Sequence, residues 1–397
     1  MTTLSGYIVP KYKCEDSLLL RYCPIASHER LTLKDFLKVH IREGARIIKF
    51  FDYKGVHIYL ADESTLMAGG NFKTLEACFT IGYSRKKGYK RIAFSSGANL
   101  GSSLTLYGRK AGIETFFFQP KAAAWKLDSR LFEARGSHLI AVDKPEKEVK
   151  KAAILFARMA GIKHVPEVEW RYLATGIRAL FVFEYMLKKN IRFDWIAQAV
   201  CAGYGPIGFY NCAQELIRER IVGKEVIPKF LGIQQAGLMP MVRAWRDRHD
   251  HICPADRATR AGDVLSPSLY NTSPDRSYPY LYRHLVRFGG DLISVTKTEY
   301  DSHLSLLLEG LARRNIRINI NGQERILENA GLIGLAGCLK AIDKKIIKKG
   351  ETMLCFFTGG AGSSRKKIAE PEFEIKRKDD LKSALRRYLN MLNTGGL

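Results

Sequence analysis

The chain has 397 residues, 46% of them hydrophobic, which is enough apolar side chain for more than one core and excludes disorder throughout. Lys and Arg outnumber Asp and Glu by 64 to 40, a formal charge of +24, so the surface attracts anions such as phosphate esters and carboxylates. The basic residues are spread along the chain, densest at Arg85–Arg91 and Arg365–Arg387, and are not gathered into the aromatic-interleaved block of a nucleic-acid groove. Eight cysteines without zinc-finger spacing read as reduced thiols, which points to the cytoplasm. Met1–Pro10 lacks a basic stretch followed by an apolar run, so no signal peptide is expected. The uncharged segment Trp195–Gln214 is cut by glycines and Pro206, so it is not read as a membrane span.

In chain order, Met1–Leu60 reads as an extended or antiparallel N-terminal region, with short runs at Gly6–Val9, Leu18–Tyr22 and Ile47–Asp52. Thereafter β-rich runs alternate with amphipathic stretches, the pattern of an α/β architecture with mainly parallel strands. Strands are predicted at Arg91–Ser95, Thr115–Gln119, His138–Val142, Ile196–Ala202, Phe230–Gln234, Asp291–Val295 and Met353–Phe357. Helices are predicted at Leu100–Lys110, Pro145–Met159, Tyr172–Lys188, Ile207–Glu219, Ser302–Arg313 and Ala330–Lys345. Ile252–Tyr280, rich in Pro, Ser, Asp and Arg, reads as a long loop.

Three strand-to-helix or strand-to-turn junctions carry the chemistry. Ser95-Ser96-Gly97-Ala98-Asn99 follows a strand and opens a helix, a place for a carboxylate on backbone N–H groups and the Asn99 side chain. Gly203-Tyr204-Gly205-Pro206-Ile207-Gly208 matches G-x-G-x-x-G between a strand and a helix and fits a phosphate. Pro206 has no N–H, so Gly203, Tyr204, Gly205 and Ile207 are the expected donors. A dinucleotide would need an acidic residue ending the next strand, where Gln234 and Gln235 stand instead. Thr358 places a hydroxyl after an apolar strand, beside Gly359 and Gly360. Lys73, in Gly69-Gly70-Asn71-Phe72-Lys73-Thr74, is the candidate amine for an imine-forming cofactor that these turns would hold. His249, Asp250, His251, Cys253 and Asp256 lack helical ligand spacing and read as a solvated loop, so no metal is assigned.

Together the segments resemble pyridoxal-phosphate enzymes of the tryptophan synthase β-subunit fold, in the threonine synthase and cysteate synthase branch. "GGNFKTLEA" resembles the lysine motif, "SSGANLGSSLTLYGRKAGI" the Ser-Thr-Gly-Asn turn, and "AVCAGYGPIG" the phosphate loop. "GIQQAGLMPMVRAW", "AGDVLS" and "CFFTGGAG" resemble stretches that close the site in cysteate synthases. The resemblance implies a fold type II α/β protein of two three-layer αβα domains with mainly parallel twisted sheets and pyridoxal 5'-phosphate in the cleft between them. The implied division is an N-terminal extension at 1–60, a smaller mobile domain at 85–180, a larger cofactor-binding domain at 61–84 and 181–365, and a basic C-terminal segment at 366–397.

The same resemblance makes Lys73 the catalytic, cofactor-linked lysine and gives Asn99 the ring hydroxyl. It gives Gly203, Tyr204, Gly205 and Ile207 the phosphate, and Thr358 the pyridine nitrogen. Substrate is expected at Ser96, Gly97, Ala98, Leu100 and Gln234. Gly97, Ala98 and Leu100 depart from the family's turn, which removes two hydroxyls from the substrate side. The implied activity is β-replacement on a phosphorylated or otherwise activated amino acid by way of an aminoacrylate, with O-phosphoserine and sulfite or another small nucleophile as substrates, in a cytoplasmic homodimer. A threonine-synthase-like reaction on O-phosphohomoserine is the enzymatic alternative. A non-catalytic binder of nucleic acid on the same fold is the alternative of another class.

Overall fold

The computed structural model describes residues 4–23, 31–259, 264–316, 318, 329–360 and 368–394. Of the stretches singled out above, Met1–Thr3, Ala261–Asp263, Ala361–Gly362 and the start of the basic C-terminal patch at Arg365 lie outside them. Among the described residues, no helix is long and apolar enough to cross a membrane.

Eleven strands are present among the described residues: β1 Arg46–Tyr53, β2 Val56–Asp62, β3 Arg91–Ser95, β4 Glu114–Pro120, β5 Ser137–Val142, β6 Lys163–His164, β7 Trp195–Ala199, β8 Lys229–Gln235, β9 Gly290–Val295, β10 Thr352–Phe357 and β11 Phe373–Ile375. They form two sheets in two compact units. The larger unit comprises Met1–His28, Arg42–Phe72 and Tyr172–Ser363, and the smaller Glu29–Ile41, Lys73–Arg171 and Ser364–Leu397.

In the larger unit the strand order is β1-β2-β10-β7-β8-β9, with β1 and β2 an antiparallel hairpin and every other pair parallel. The central strands are apolar on both faces, as buried parallel strands must be: all five residues of β7 are buried. Helix Ala330–Asp343 lies on this sheet and is itself buried over most of its length. Its approach depends on missing side chains. A Cβ at Gly337 would come within 2.4 Å of Ile233 Cγ1 on β8, so helix and strand are closer there than any other residue allows.

At the end of β2 lies a wholly buried ion pair. Arg178, on helix Val168–Lys189, donates from Nε to Glu63 Oε1 at 2.6 Å and from Nη2 to Oε2 at 2.9 Å, while Nη1 donates to Gln198 Oε1 on β7 at 2.9 Å. The guanidinium stacks over the Phe356 ring of β10 at 3.8 Å. Arg178 and Glu63 each have no exposed side-chain surface.

Of the N-terminal runs read as extended or antiparallel, Ile47–Asp52 lies in the antiparallel strand β1, whereas the two earlier runs differ. Leu18–Arg21 is a helical turn capped by the Ser17 hydroxyl, which accepts from Leu20 N. Three apolar residues in a row had suggested a strand, but the serine cap and the anchoring of Arg21 to Glu184 of helix Val168–Lys189 select the turn. Gly6–Val9 likewise begins inside a single 3-10 turn, Leu4–Tyr7.

In the smaller unit the order is β11-β5-β4-β3-β6, all parallel. Phe116, Phe118, Ile140, Val142 and Phe156 form its core together with Tyr388 of helix Leu381–Asn393. The units divide the chain at points other than those expected above. Helix Lys73–Lys86 falls in the smaller unit, and the C-terminal segment supplies that unit's edge strand β11 and a packed helix. Glu372, just before β11, is held by His138 Nδ1 at 2.7 Å and by the Tyr388 hydroxyl, which donates at 2.6 Å.

The Arg178–Glu63 pair yields a first test. Glu63→Gln leaves a buried guanidinium without its counter-charge and is expected to cost about 3–5 kcal/mol in urea unfolding, whereas the paired replacement Glu63→Leu with Arg178→Met costs less than Glu63→Gln alone. A single-variant cost within about 0.5 kcal/mol of zero, the range of ordinary surface changes, would show that the pair is not structural.

Candidate active site

The three motif turns fall at carboxyl ends of parallel strands, where an open α/β sheet binds ligands. The Gly97 turn follows β3, the Gly203 turn follows β7, and Thr358 follows β10, next to β7 in the larger sheet. Gly203, Tyr204, Gly205, Ile207, Gln234 and Thr358 belong to the larger unit; Lys73, Ser96, Gly97, Ala98, Asn99 and Leu100 belong to the smaller.

Gly203 is the N-cap of the 15-residue helix Tyr204–Arg218 and has φ +72°, a left-handed conformation that favours glycine. Gly205 has no room for a side chain: a Cβ there would meet Arg178 Nη1 at 2.6 Å and Gln198 Oε1 at 2.9 Å. The helix start therefore rests directly on the buried ion pair. Ile207 is not a phosphate donor, contrary to the expectation, because its N–H makes the first intrahelical bond to Gly203 O at 3.1 Å. Gly203 and Gly205, whose N–H groups have no intrahelical acceptor, and Tyr204 between them are what the turn offers an anion. Thr175 fixes the turn from below, its hydroxyl donating to Tyr204 O at 3.1 Å.

Thr358 is buried at 5% exposure, and its carbonyl accepts from Phe72 N at 3.1 Å, so the residue before Lys73 is pinned to the end of β10. Asn71 and Gly359 form an isolated antiparallel bridge beside it. Gln234 is buried and caps helix Pro240–Arg246, its Oε1 accepting from Met241 N at 3.0 Å and Val242 N at 3.2 Å. Gln235 holds the Leu265–Ser266 backbone in the same way. These two amides are thus used to position loops, which accounts for glutamines where a dinucleotide site would carry an acid.

In the smaller unit Gly97 is the N-cap of helix Ala98–Ala111 and makes no side-chain cap; the space around it is open, with nothing within 4 Å of a Cβ placed there. Asn99 lies in the helix's first turn, because the helix starts at Ala98, two residues before the start expected from sequence. Leu100 is buried, so what it can offer a ligand is its backbone N–H. Ser96 and Ala98 are half-buried at the turn.

Lys73 opens helix Lys73–Lys86, which packs against helix Ala98–Ala111. Its Nζ donates to Glu76 Oε1 at 2.5 Å, and Arg171 Nε donates to Glu76 Oε2 at 2.6 Å. Glu76 is fully buried, whereas Lys73 and Arg171 keep 22% and 17% of their side chains exposed. Burial pushes the Glu76 carboxyl up, but Arg171 and Lys73 outweigh it and hold the group below the ordinary carboxylate range. Sequence reasoning missed this group. Glu76 could have been found, since three residues along a helix returns to the same face; Arg171, 95 positions away from Glu76, gave no signal.

A pH test follows from Glu76. Its folded value lies below the unfolded 4.5, so its stabilisation is complete above pH 4.5 and is lost as pH falls through the lowered value. Glu76→Gln is therefore expected to be less stable than wild type at pH 7, with the difference in urea midpoint shrinking as pH is taken below 4.5. A difference independent of pH would contradict the assignment.

Comparison with known proteins gives this geometry its family. Residues 46–359 match the family model of the pyridoxal-phosphate dependent enzymes. Curated relatives include the cysteate synthase of Methanosarcina barkeri, 24% identical over 316 residues that cover 78% of this chain and 72% of the relative. The cysteate synthase of Methanosarcina acetivorans is 25% identical over 342 residues, 82% and 78% of the two chains. Among solved structures, diaminopropionate ammonia lyase from Escherichia coli superposes with a TM-score of 0.63 at 16% identity, covering 88% of this chain and 92% of that one. Maize serine racemase gives 0.61 at 16% identity, covering 82% and 92%; both likenesses are of fold. With its lysine motif, its glycine turn and a match spanning most of its length, the chain belongs to the family of pyridoxal-phosphate dependent enzymes.

Proposed function

We propose that this enzyme carries out β-replacement on an amino acid whose side chain bears a phosphate ester, with O-phosphoserine as the amino acid and sulfite or another small nucleophile as the second substrate. The observation that carries the cofactor-dependent part of the reading is the Gly203 turn. A left-handed glycine opening a 15-residue helix, seated on Arg178 and Gln198 with no space for a side chain at Gly205, is a cradle for the cofactor's phosphoryl group. The likeness to cysteate synthases supports the choice of reaction, and the net charge of +24 suits two anionic substrates.

Each unit carries groups whose chemistry suits the cofactor. Lys73 would hold its aldehyde carbon, Asn99 its ring hydroxyl, the Gly203–Gly205 turn its phosphate and Thr358 its pyridine nitrogen. When bound, pyridoxal phosphate supplies an electron sink for loss of an α-proton and a β-leaving group. Thr358 would tune that sink, because a buried neutral hydroxyl would not hold the ring nitrogen protonated as a carboxylate would. Lys73 Nζ would take the α-proton. Glu76 Oε1, 2.5 Å from that nitrogen, orients it, and Arg171 holds Glu76 in turn. The first-turn amides at Gly97–Leu100 would receive the substrate carboxylate; with Gly97 and Leu100 carrying no hydroxyl, backbone N–H groups would take the larger share of that recognition.

Purified, cofactor-loaded enzyme given O-phosphoserine and sulfite is expected to release inorganic phosphate and form cysteate in equal amounts, and Lys73→Ala to form neither. Threonine and phosphate from O-phosphohomoserine, with O-phosphoserine inert, would replace the substrate assignment. Phosphate release from neither would contradict the reaction class.

A further inference from the structure

The stretch between helix Pro240–Arg246 and the 3-10 turn Pro254–Arg257, read from sequence as a plain solvated loop, folds its donors onto one another. Arg248 takes a left-handed φ of 56° and turns the chain back, so that His249 N donates to Ala244 O at 2.8 Å. From the other side the Tyr278 hydroxyl donates to His249 O at 2.9 Å. The 3-10 turn is capped reciprocally: Asp256 Oδ2 accepts from Cys253 N at 2.7 Å, and the Cys253 side chain accepts from the Asp256 backbone. These local bonds bring His249 Nδ1 to 3.5 Å from Cys253 Sγ and 3.8 Å from Asp256 Oδ2, with the ligand atoms of the three residues all within 4.8 Å of one another. His251 Nε2 lies 3.5 Å from the same sulfur.

The two nitrogen-to-sulfur spacings fit two edges of a tetrahedral site. An ion bonded at about 2.3 Å to sulfur and about 2.0–2.1 Å to imidazole nitrogen sets the two donors about 3.5 Å apart. A second feature points the same way. The far ring nitrogen of His251, Nδ1, is 2.8 Å from Asp250 Oδ1, the carboxylate-to-imidazole contact that fixes a ligating tautomer and leaves Nε2 its lone pair toward the sulfur. A thiol has one proton to share among two imidazoles and a carboxylate, whereas a cation serves all of them. A thiolate and a carboxylate also match a charge of +2, and Asp256, at 2% exposure, is preorganised. Arg257 pairs with Asp275 at 2.5 Å, and Arg243 donates to the Asp256 backbone carbonyl at 2.8 Å.

We propose that His249, Cys253 and Asp256, with His251 closing the fourth position, bind one divalent transition-metal ion of the zinc class. Borderline-soft N, S and O donors in four-coordinate array select such an ion over magnesium or calcium. The site is a structural clip. It joins the end of helix Pro240–Arg246, whose start is capped by Gln234 of β8, to the helix Tyr278–Phe288 through the Tyr278–His249 bond. The clip is independent of which amino acid the enzyme uses.

The test is a cobalt titration of full-length, untagged, cofactor-loaded enzyme after chelator dialysis. Uptake of one equivalent of Co²⁺ is expected, with a sulfur-to-cobalt charge-transfer band in the near ultraviolet and the long-wavelength bands of tetrahedral cobalt, all displaced by Zn²⁺. Cys253→Ser should lose the sulfur band while keeping its bound cofactor's visible absorbance, which separates loss of the ligand from loss of the fold. His251 is well exposed, so His251→Ala should fold normally and bind Co²⁺ on the order of tenfold or more weakly. Absence of stoichiometric uptake, or a sulfur band that survives in Cys253→Ser, would overturn the proposal.

Discussion

Arg178 and Glu63 form the contact on which the glycine-turn end of the larger unit depends. Taking a guanidinium and a carboxylate fully out of water costs several kcal/mol per ion, and only near-complete pairing offsets it. Here the pairing is bidentate, with Gln198 taking a third donor and the Phe356 ring stacked beneath. Each partner also fixes a residue of the proposed site. Glu63 donates its N–H to Phe357 O, which sets the end of β10 and hence Thr358. The guanidinium leaves no volume for a side chain at Gly205, so the start of helix Tyr204–Arg218 is defined by contact with a charge that cannot move. Arg178 also lies 5.0 Å from the Phe72 ring, the residue that leads into Lys73.

Much of this was legible in the sequence. Every interior strand predicted from apolar runs is present to within a few residues, because parallel strands buried on both faces leave a continuous hydrophobic signal; Arg91–Ser95 is reproduced as β3. The glycine turn at Gly203 was readable because its φ of +72° and the crowding at Gly205 each demand glycine. What failed was set by partners distant in sequence. Leu18–Arg21 looks extended until Ser17 caps it, and β11 is too short to read before it pairs with β5. Ile207 was taken for a ligand donor because sequence does not say which amide closes the first helical bond.

The proposed site was half visible. Lys73, Asn99, Gly203 and Thr358 stand at the ends of predictable elements, and the resemblance to the family gave them their expected roles. Glu76 with Arg171, and Glu63 with Arg178, are charged residues whose burial no local pattern announces. They decide how rigidly the visible residues are held. The donors around Cys253 failed for a related reason: their convergence depends on a left-handed Arg248 and a reciprocal cap, neither of which appears in a ligand-spacing pattern.

The central claim is that the amine at position 73 is the one that holds the cofactor. Borohydride reduction of the native enzyme fixes pyridoxal phosphate to whichever lysine carries it, and peptide mass spectrometry then reads the position. The account predicts one pyridoxyl group per chain, on the peptide containing Lys73. Label on any other lysine, or no label from enzyme saturated with cofactor, would contradict it.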